Sequence, residues 1–149
     1  MKKPHIIGTA IVALAVVGAG IAALLYFKPH KDYESATPDY VVSVRTIVSD
    51  FEHDEAAANR KYVAGDKTIL VKGTIASIDT DSNGIMTITL GESGVDGTVH
   101  CALMPDQHEV ASRLKAGDRI GIKGQCTGVQ TLIDTEVIMI RCGVDAPSR

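Results

Sequence analysis

"RIGIKGQC", residues 119–126, repeats the pattern of an earlier stretch, "TILVKGTI", residues 68–75. Each places apolar residues at alternate positions and then Lys-Gly. Alternation of this kind reads as a half-buried β-strand, and a glycine inside such a run marks a bend, a bulge or a close backbone approach. Nothing else recurs at this spacing, so the chain is not a tandem repeat. The two stretches read instead as two similar strands of one sheet.

The surrounding segments extend this reading. "KTILVKGTIASID" (67–79) alternates around Gly73, and "DSNG" (81–84) carries the Asn-Gly pair of a tight hairpin. "IMTITL" (85–90) puts Met86, Ile88 and Leu90 on one face and Ile85, Thr87 and Thr89 on the other. "GESGVDG" (91–97) is a loop, and "TVHCALM" (98–104) puts Val99, Cys101 and Leu103 inward. "DQHEVASRLKAG" (106–117) reads as a short helix, with Asp106 as its cap and Gly117 as its stop. Then come "DRIGIKGQC" (118–126) and "EVIMIRC" (136–142), joined by a connection over 127–135.

Three meandering strands, a helix and two closing strands are the order of a five-stranded OB-type Greek-key barrel. In that barrel the first and fourth strands are neighbours, which accounts for the paired phrases. Val71 and Ile122 would point inward, Lys72 and Lys123 outward, and Gly73 and Gly124 would mark sharp bends. The expected class is therefore all-β with helices.

Before the barrel, Val44, Ile47, Val48, Phe51, Ala58 and Tyr62 largely follow helical spacing, with acidic and basic residues opposite. Ser43 caps this amphipathic helix and Gly65 ends it. Residues 28–39, "KPHKDYESATPD", are polar with two prolines and read as a linker. Ile6 to Phe27 is a 22-residue run without a charge. At about 1.5 Å per residue it is long enough to span a bilayer. A cleaved signal peptide is the competing reading. Its apolar core would be about 7–15 residues, and "IAALLYF" continues past the small residues "VGAG" (17–20). The expected organisation is an uncleaved anchor (1–27), a linker (28–39) and an OB domain with a leading helix (40–149). Lys2 and Lys3 favour a cytoplasmic N-terminus, which puts the domain on the extracytoplasmic side of the membrane.

All 18 acids follow the anchor, against 13 of the 15 Lys and Arg, so the domain carries about −5 with His neutral. It has no Trp, and its aromatics are Tyr33, Tyr40, Phe51 and Tyr62. A surface that tracks phosphates needs clustered positive charge and stacking rings, so this composition argues against non-specific nucleic-acid binding.

Chemistry-bearing patterns are sparse. "DTDSNG" (79–84) matches the first half of a calcium loop, but Leu90 stands where the closing Glu belongs, and the flanks are strands. It reads as a hairpin. His100 and His108 have no ligand spacing with Cys101, and neither a nucleophile elbow nor a phosphate loop is present, so no metal, cofactor or catalytic constellation is expected. Cys101, Cys126 and Cys142 all fall on inward positions. In an exported domain Cys126 and Cys142, on neighbouring strands, are the expected disulfide. The expected ligand face lies across the second and third strands. It comprises Thr87, Thr89, His100 and Met104, with the 79–84 and 127–135 loops at its rim and a basic strip of Lys72, Lys123 and Arg141.

"AAANRKY" (56–62), Gly65, "VKG" (71–73), Cys101, "LKAGD" (114–118), "IKGQCTG" (122–128) and Cys142 together resemble the tRNA-anticodon-binding-like OB-fold family, over about residues 40–144. These are small, mostly bacterial proteins, often with one N-terminal membrane segment. The resemblance implies an OB-fold behind an anchor and, by itself, no particular activity. The expected function is a membrane-tethered, non-catalytic binding module. Its partners would be the bilayer, through residues 6–27, and a small-molecule, oligosaccharide or protein ligand. The alternative is an RNA- or single-stranded-DNA-binding OB protein with a cytoplasmic domain.

Overall fold

A computed structural model describes residues 35–145 and Ile21. The chain divides into two units, Met1–Lys31 and Asp32–Arg149, and the second holds all the strands among the described residues. The expected membrane segment, 6–27, lies outside the described residues except for Ile21. Among the described residues no helix is long and apolar enough to cross a membrane.

The elements are β1 (Tyr40–Ser43), α1 (Val44–His53), α2 (Glu55–Ala58), a π-helical turn (Asn59–Val63), β2 (Ile69–Thr80), β3 (Met86–Gly91), β4 (Thr98–Leu103), a 3₁₀ turn (Pro105–Gln107), α3 (His108–Ala111), β5 (Arg119–Thr131) and β6 (Thr135–Asp145). The sheet order is β1-β2-β3-β4-β6-β5, and β2–β5 pairing closes it. β2 to β6 thus form the expected OB-type barrel, with the last strand between the third and the fourth.

The repeated phrases are the seam. Val71 pairs with Ile122, with Gly73 opposite Ile120 and Ile69 opposite Gly124. Val71 and Ile122 are fully buried. β2 serves three partners, β1 through Ile69–Lys72, β5 through Ile69–Thr74 and β3 through Thr74–Thr80, and its register with β3 shifts between Ile75 and Ser77. The irregularity in β2 therefore sits at Ala76, not at Gly73. Gly73 meets another need: a Cβ there would stand 2.6 Å from Val44 Cγ2. In β5 the expected break does fall at Gly124, where the β5–β6 register shifts between Lys123 and Gln125.

α1 is built as its pattern requires. The Ser43 hydroxyl accepts from the Thr46 N–H at 3.2 Å, and Val44, Ile47, Val48 and Phe51 are buried. These residues join one core with Ile69, Ile88, Leu90, Val99 and Met139 of the barrel. Full burial of each such side chain contributes about 1.5–3 kcal/mol. The expected single helix to Gly65 is broken at Asp54, whose φ of −154° is extended and whose Oδ1 accepts from the Ala57 N–H at 2.9 Å. Asp54 thus ends α1 and caps α2. β1 is a parallel partner of β2 from Tyr40↔Ile69 to Ser43↔Lys72, where the helical pattern alone shows only an entry to the helix.

Three local expectations change. The segment 127–135 is mostly strand, with β5 running to Thr131 and β6 starting at Thr135. Asp106 lies in the first turn after Met104 and does not cap it. The hairpin at 81–84 is an Asp-stabilised turn, in which Asp81 Oδ1 accepts from Asn83 N at 2.8 Å and Ile85 N at 2.9 Å.

Candidate ligand-binding face and grooves

Strand alternation puts Thr87, Thr89, Thr98 and His100 on the outer side of the β3–β4 pair, where Thr87 faces Ala102 and Thr89 faces His100. The imidazole is held at both nitrogens. Nδ1 is 3.4 Å from Thr89 Oγ1, and Nε2 is 3.1 Å from Thr98 Oγ1. Glu136 of β6, opposite Thr98, brings Oε1 to 3.9 Å from the same Nε2. Three strands thus carry one polar strip, with a carboxylate at its β6 edge.

The basic residues do not join this strip as one cluster. Lys72 is exposed but stands opposite Gly121 on the β2–β5 side. Lys123 is largely covered, its side chain 14% exposed, with Nζ 3.4 Å from Asp145 Oδ1. Arg141 is exposed on β6 with a φ of +52°. The registers of β6 with both β4 and β5 shift around that position.

Two grooves lie on the helical side; the sequence pattern gives the 127–135 segment, part of which borders the first, only as a rim of the strand face, and nothing in it points to the second. The first, about 450 Å³, runs between α2 with its π-helical turn and the β5–β6 hairpin. Glu55, Asn59, Thr127 and Gln130 line it, over Val129 and Ile138. The one signal for it was Gly128, inside a polar run that otherwise alternates. Gly128 has a φ of +134° and lies at a register shift between β5 and β6. The second groove, about 430 Å³, is lined by Ser49, Asp50, His53, Asp54 and Lys61. Its central pair is already engaged. Asp50 Oδ2 accepts from Lys61 Nζ at 2.8 Å and from the Tyr62 hydroxyl at 2.5 Å. The Lys61 bond, with that from Tyr62, holds the Asp50 carboxyl below its usual range. The same Asp50 bond drives the Lys61 ammonium up, and burial drives the Tyr62 phenol up.

The expected Cys126–Cys142 disulfide is not formed; Cys101, Cys126 and Cys142 are buried free thiols. The physical reason is register. β5 and β6 are antiparallel neighbours, but Cys126 stands opposite Met139, while Cys142 sits against Gly124, whose added Cβ would be 2.6 Å from its Sγ. Burial pushes the Cys126 thiol up to about 11, and burial pushes Cys142 up as well. Such thiols are poor nucleophiles. Among the described residues no group of three His, Cys, Asp or Glu side chains is placed to hold a metal ion.

Comparison with known proteins supplies the rest. A crystal structure of a lipoprotein from Klebsiella pneumoniae, provisionally named as nucleic acid-binding, superposes with a TM-score of 0.59 at 20% identity, over 71% of this chain and 91% of that one. At that identity the likeness shows the fold alone. An aspartyl-tRNA synthetase, provisionally so named, from Leishmania major matches with a TM-score of 0.45 at 13% identity, over 80% of this chain and 22% of that one. No curated protein matches. The family model that matches is tRNA_anti-like, over residues 1–144, and the chain belongs to that family.

Proposed function

We propose that this protein is a non-catalytic binding module, tethered by residues 6–27 to a bacterial inner membrane with its OB domain on the extracytoplasmic side. The observation that carries the reading is the outer strip of β3, β4 and β6. Its polar groups satisfy one another, with Thr89 and Thr98 holding His100, and its charged member is Glu136 rather than a cation. The strip is a preformed, rigid recognition surface. It is not arranged as a nucleophile with its base, because Glu136 and Thr98 approach the same ring nitrogen. An orienting carboxylate would have to hold the opposite one.

A second reading, nucleic-acid binding, is favoured by the likeness to the Klebsiella lipoprotein named for that activity. Two features weigh against it: β3 and β4 carry no Phe, Tyr or Trp, their one ring being His100, which two threonines hold, and the basic residues are dispersed. Fluorescence anisotropy of labelled single-stranded RNA and DNA with the full chain in nanodiscs separates the two. The module reading expects no binding at low salt. Binding that weakens steeply as salt rises, the signature of counterion release, would overturn it. Reporter fusions after Arg149 test the topology, and a reporter active only in the cytoplasm would reverse the proposed orientation.

A further inference from the structure

We infer that the groove between α2 and the β5–β6 hairpin is a saccharide-binding site, for a neutral or amine-bearing sugar of one or two rings. The inference rests on the reading of the domain as a binding module, but not on the β3–β4 strip.

Two irregularities converge on this groove. Asn59 opens a π-helical turn, in which its carbonyl accepts from the Ala64 N–H at 2.9 Å. Opposite it, Gly128 breaks the β5–β6 register at a φ of +134°. Single π turns and bulges recur beside functional sites because each re-aims a side chain out of a regular ladder. The φ of +134° is what reserves position 128 for glycine; an added Cβ would lie in ordinary contact, 3.8 Å from Asn59 Oδ1.

The lining specifies the chemistry. The side chains of Glu55, Asn59 and Gln130 make no hydrogen bond or ion pair among the described residues, although Asn59 is half-buried. Thr127 donates its hydroxyl to the Ile138 carbonyl at 3.2 Å and keeps its lone pairs to accept. Amides offer donors and acceptors together, and a carboxylate only accepts. The complementary ligand is therefore rich in hydroxyls, which both donate and accept, and an amine suits Glu55. Among the described residues no Lys or Arg lines the groove, so a phosphate or carboxylate ligand would meet Glu55 without a counter-charge from them. The half-buried Val129 and Ile138 side chains supply an apolar floor for the C–H face of a ring. The volume, about 450 Å³, falls within the range of small-ligand sites.

The test uses the full chain in phospholipid nanodiscs, with chitobiose, maltose, spermidine and inorganic phosphate as probes. Amide NMR shifts are followed, with thermal melts to confirm folding of the variants. The inference expects saturable shifts at Thr127, Gly128 and Gln130 with a sugar, and none with phosphate. Asn59→Ala and Gln130→Ala should each weaken binding about tenfold, the effect of one good hydrogen bond, while His100→Ala leaves it unchanged. Saturation by neither sugar overturns the inference. Binding of spermidine alone also overturns it and makes the site one for polyamines. Sugar shifts centred on Thr89 and His100 would remove the groove and leave the module reading standing.

Discussion

The Tyr62 phenol and the Asp50 carboxylate meet at 2.5 Å, and through that contact the π-helical turn is fastened to α1. Lys61 completes the fastening, with Nζ bonded to the same oxygen and 4.7 Å from the centre of the Tyr62 ring. Tyr62→Phe removes one charged hydrogen bond but leaves Asp50 its lysine and its access to water, since that side chain is 35% exposed. The expected cost is about 1 kcal/mol, at the low end for a bond to a charged group, read from urea denaturation midpoints.

The pH dependence comes from the same contact. Asp50 is shifted down from 3.8, so its contribution to stability is present above that value and is lost as pH falls through the lower, folded value. Glu92, held down chiefly by the Arg45 backbone N–H, acts in the same direction. Asp50→Asn should therefore lessen the acid loss of stability without abolishing it. Lys61 and Tyr62 are both shifted up. Their contributions are complete below their unfolded values, near 10, and disappear as pH rises through the folded ones. Equal acid slopes for the parent and Asp50→Asn in urea titrations would remove Asp50 from this account.

Gly97 should tolerate no side chain. A Cβ there would stand 2.5 Å from Val48 Cγ1 and 2.7 Å from the Thr135 carbonyl oxygen. Gly97→Ala is expected to cost about 1–3 kcal/mol, the usual range for overpacking. Val48→Ala should be less destabilising in that background than in the parent, because it removes one of the two clashes. Additive costs in a double-mutant cycle would show that α1 does not press on Gly97.

The three buried thiols should resist alkylation in the folded chain at neutral pH and react in urea. Cys126, pushed up to about 11 by burial, holds almost no thiolate there. Mass spectrometry after iodoacetamide treatment reads the result. Fast labelling of native Cys126 or Cys142 would mean that the barrel opens locally.

Arg141→Gly should raise stability by about 1 kcal/mol, because the φ of +52° at this position is a conformation that only glycine adopts without strain. A fall in thermal midpoint would show that the arginine side chain contributes more than its backbone costs.

How much of the fold and the site is legible in the sequence depends on whether a signal is local. The seam is legible because Val71 and Ile122 sit in runs whose alternation is strong. The α1 face is legible because Val44, Ile47, Val48 and Phe51 recur at helical spacing. β1 is not, since four residues, "YVVS", gain strand character only from a parallel partner far along the chain. The Cys126–Cys142 bridge fails for a related reason: parity gives the face a residue points to, whereas its opposite number depends on bulges, here at Gly124 and Gly128. For the ligand face, Thr87, Thr89 and His100 come together because they share one antiparallel pair. Lys72 and Lys123 lie on other strands, and sequence alone does not show that Lys123 is spent on Asp145. The groove is hidden because 127–135 looks polar enough to be a loop.

β6 lies between β4 and β5, bonded to both. During synthesis the nascent chain therefore presents β4 and β5 with bare backbone edges until the segment ending at Asp145 leaves the ribosome. Bare edges are templates for pairing with other chains, so the interval before β6 arrives is the one most exposed to misassembly. A chain stalled before Thr135 should be degraded by added protease, and one stalled well beyond Asp145 should resist it.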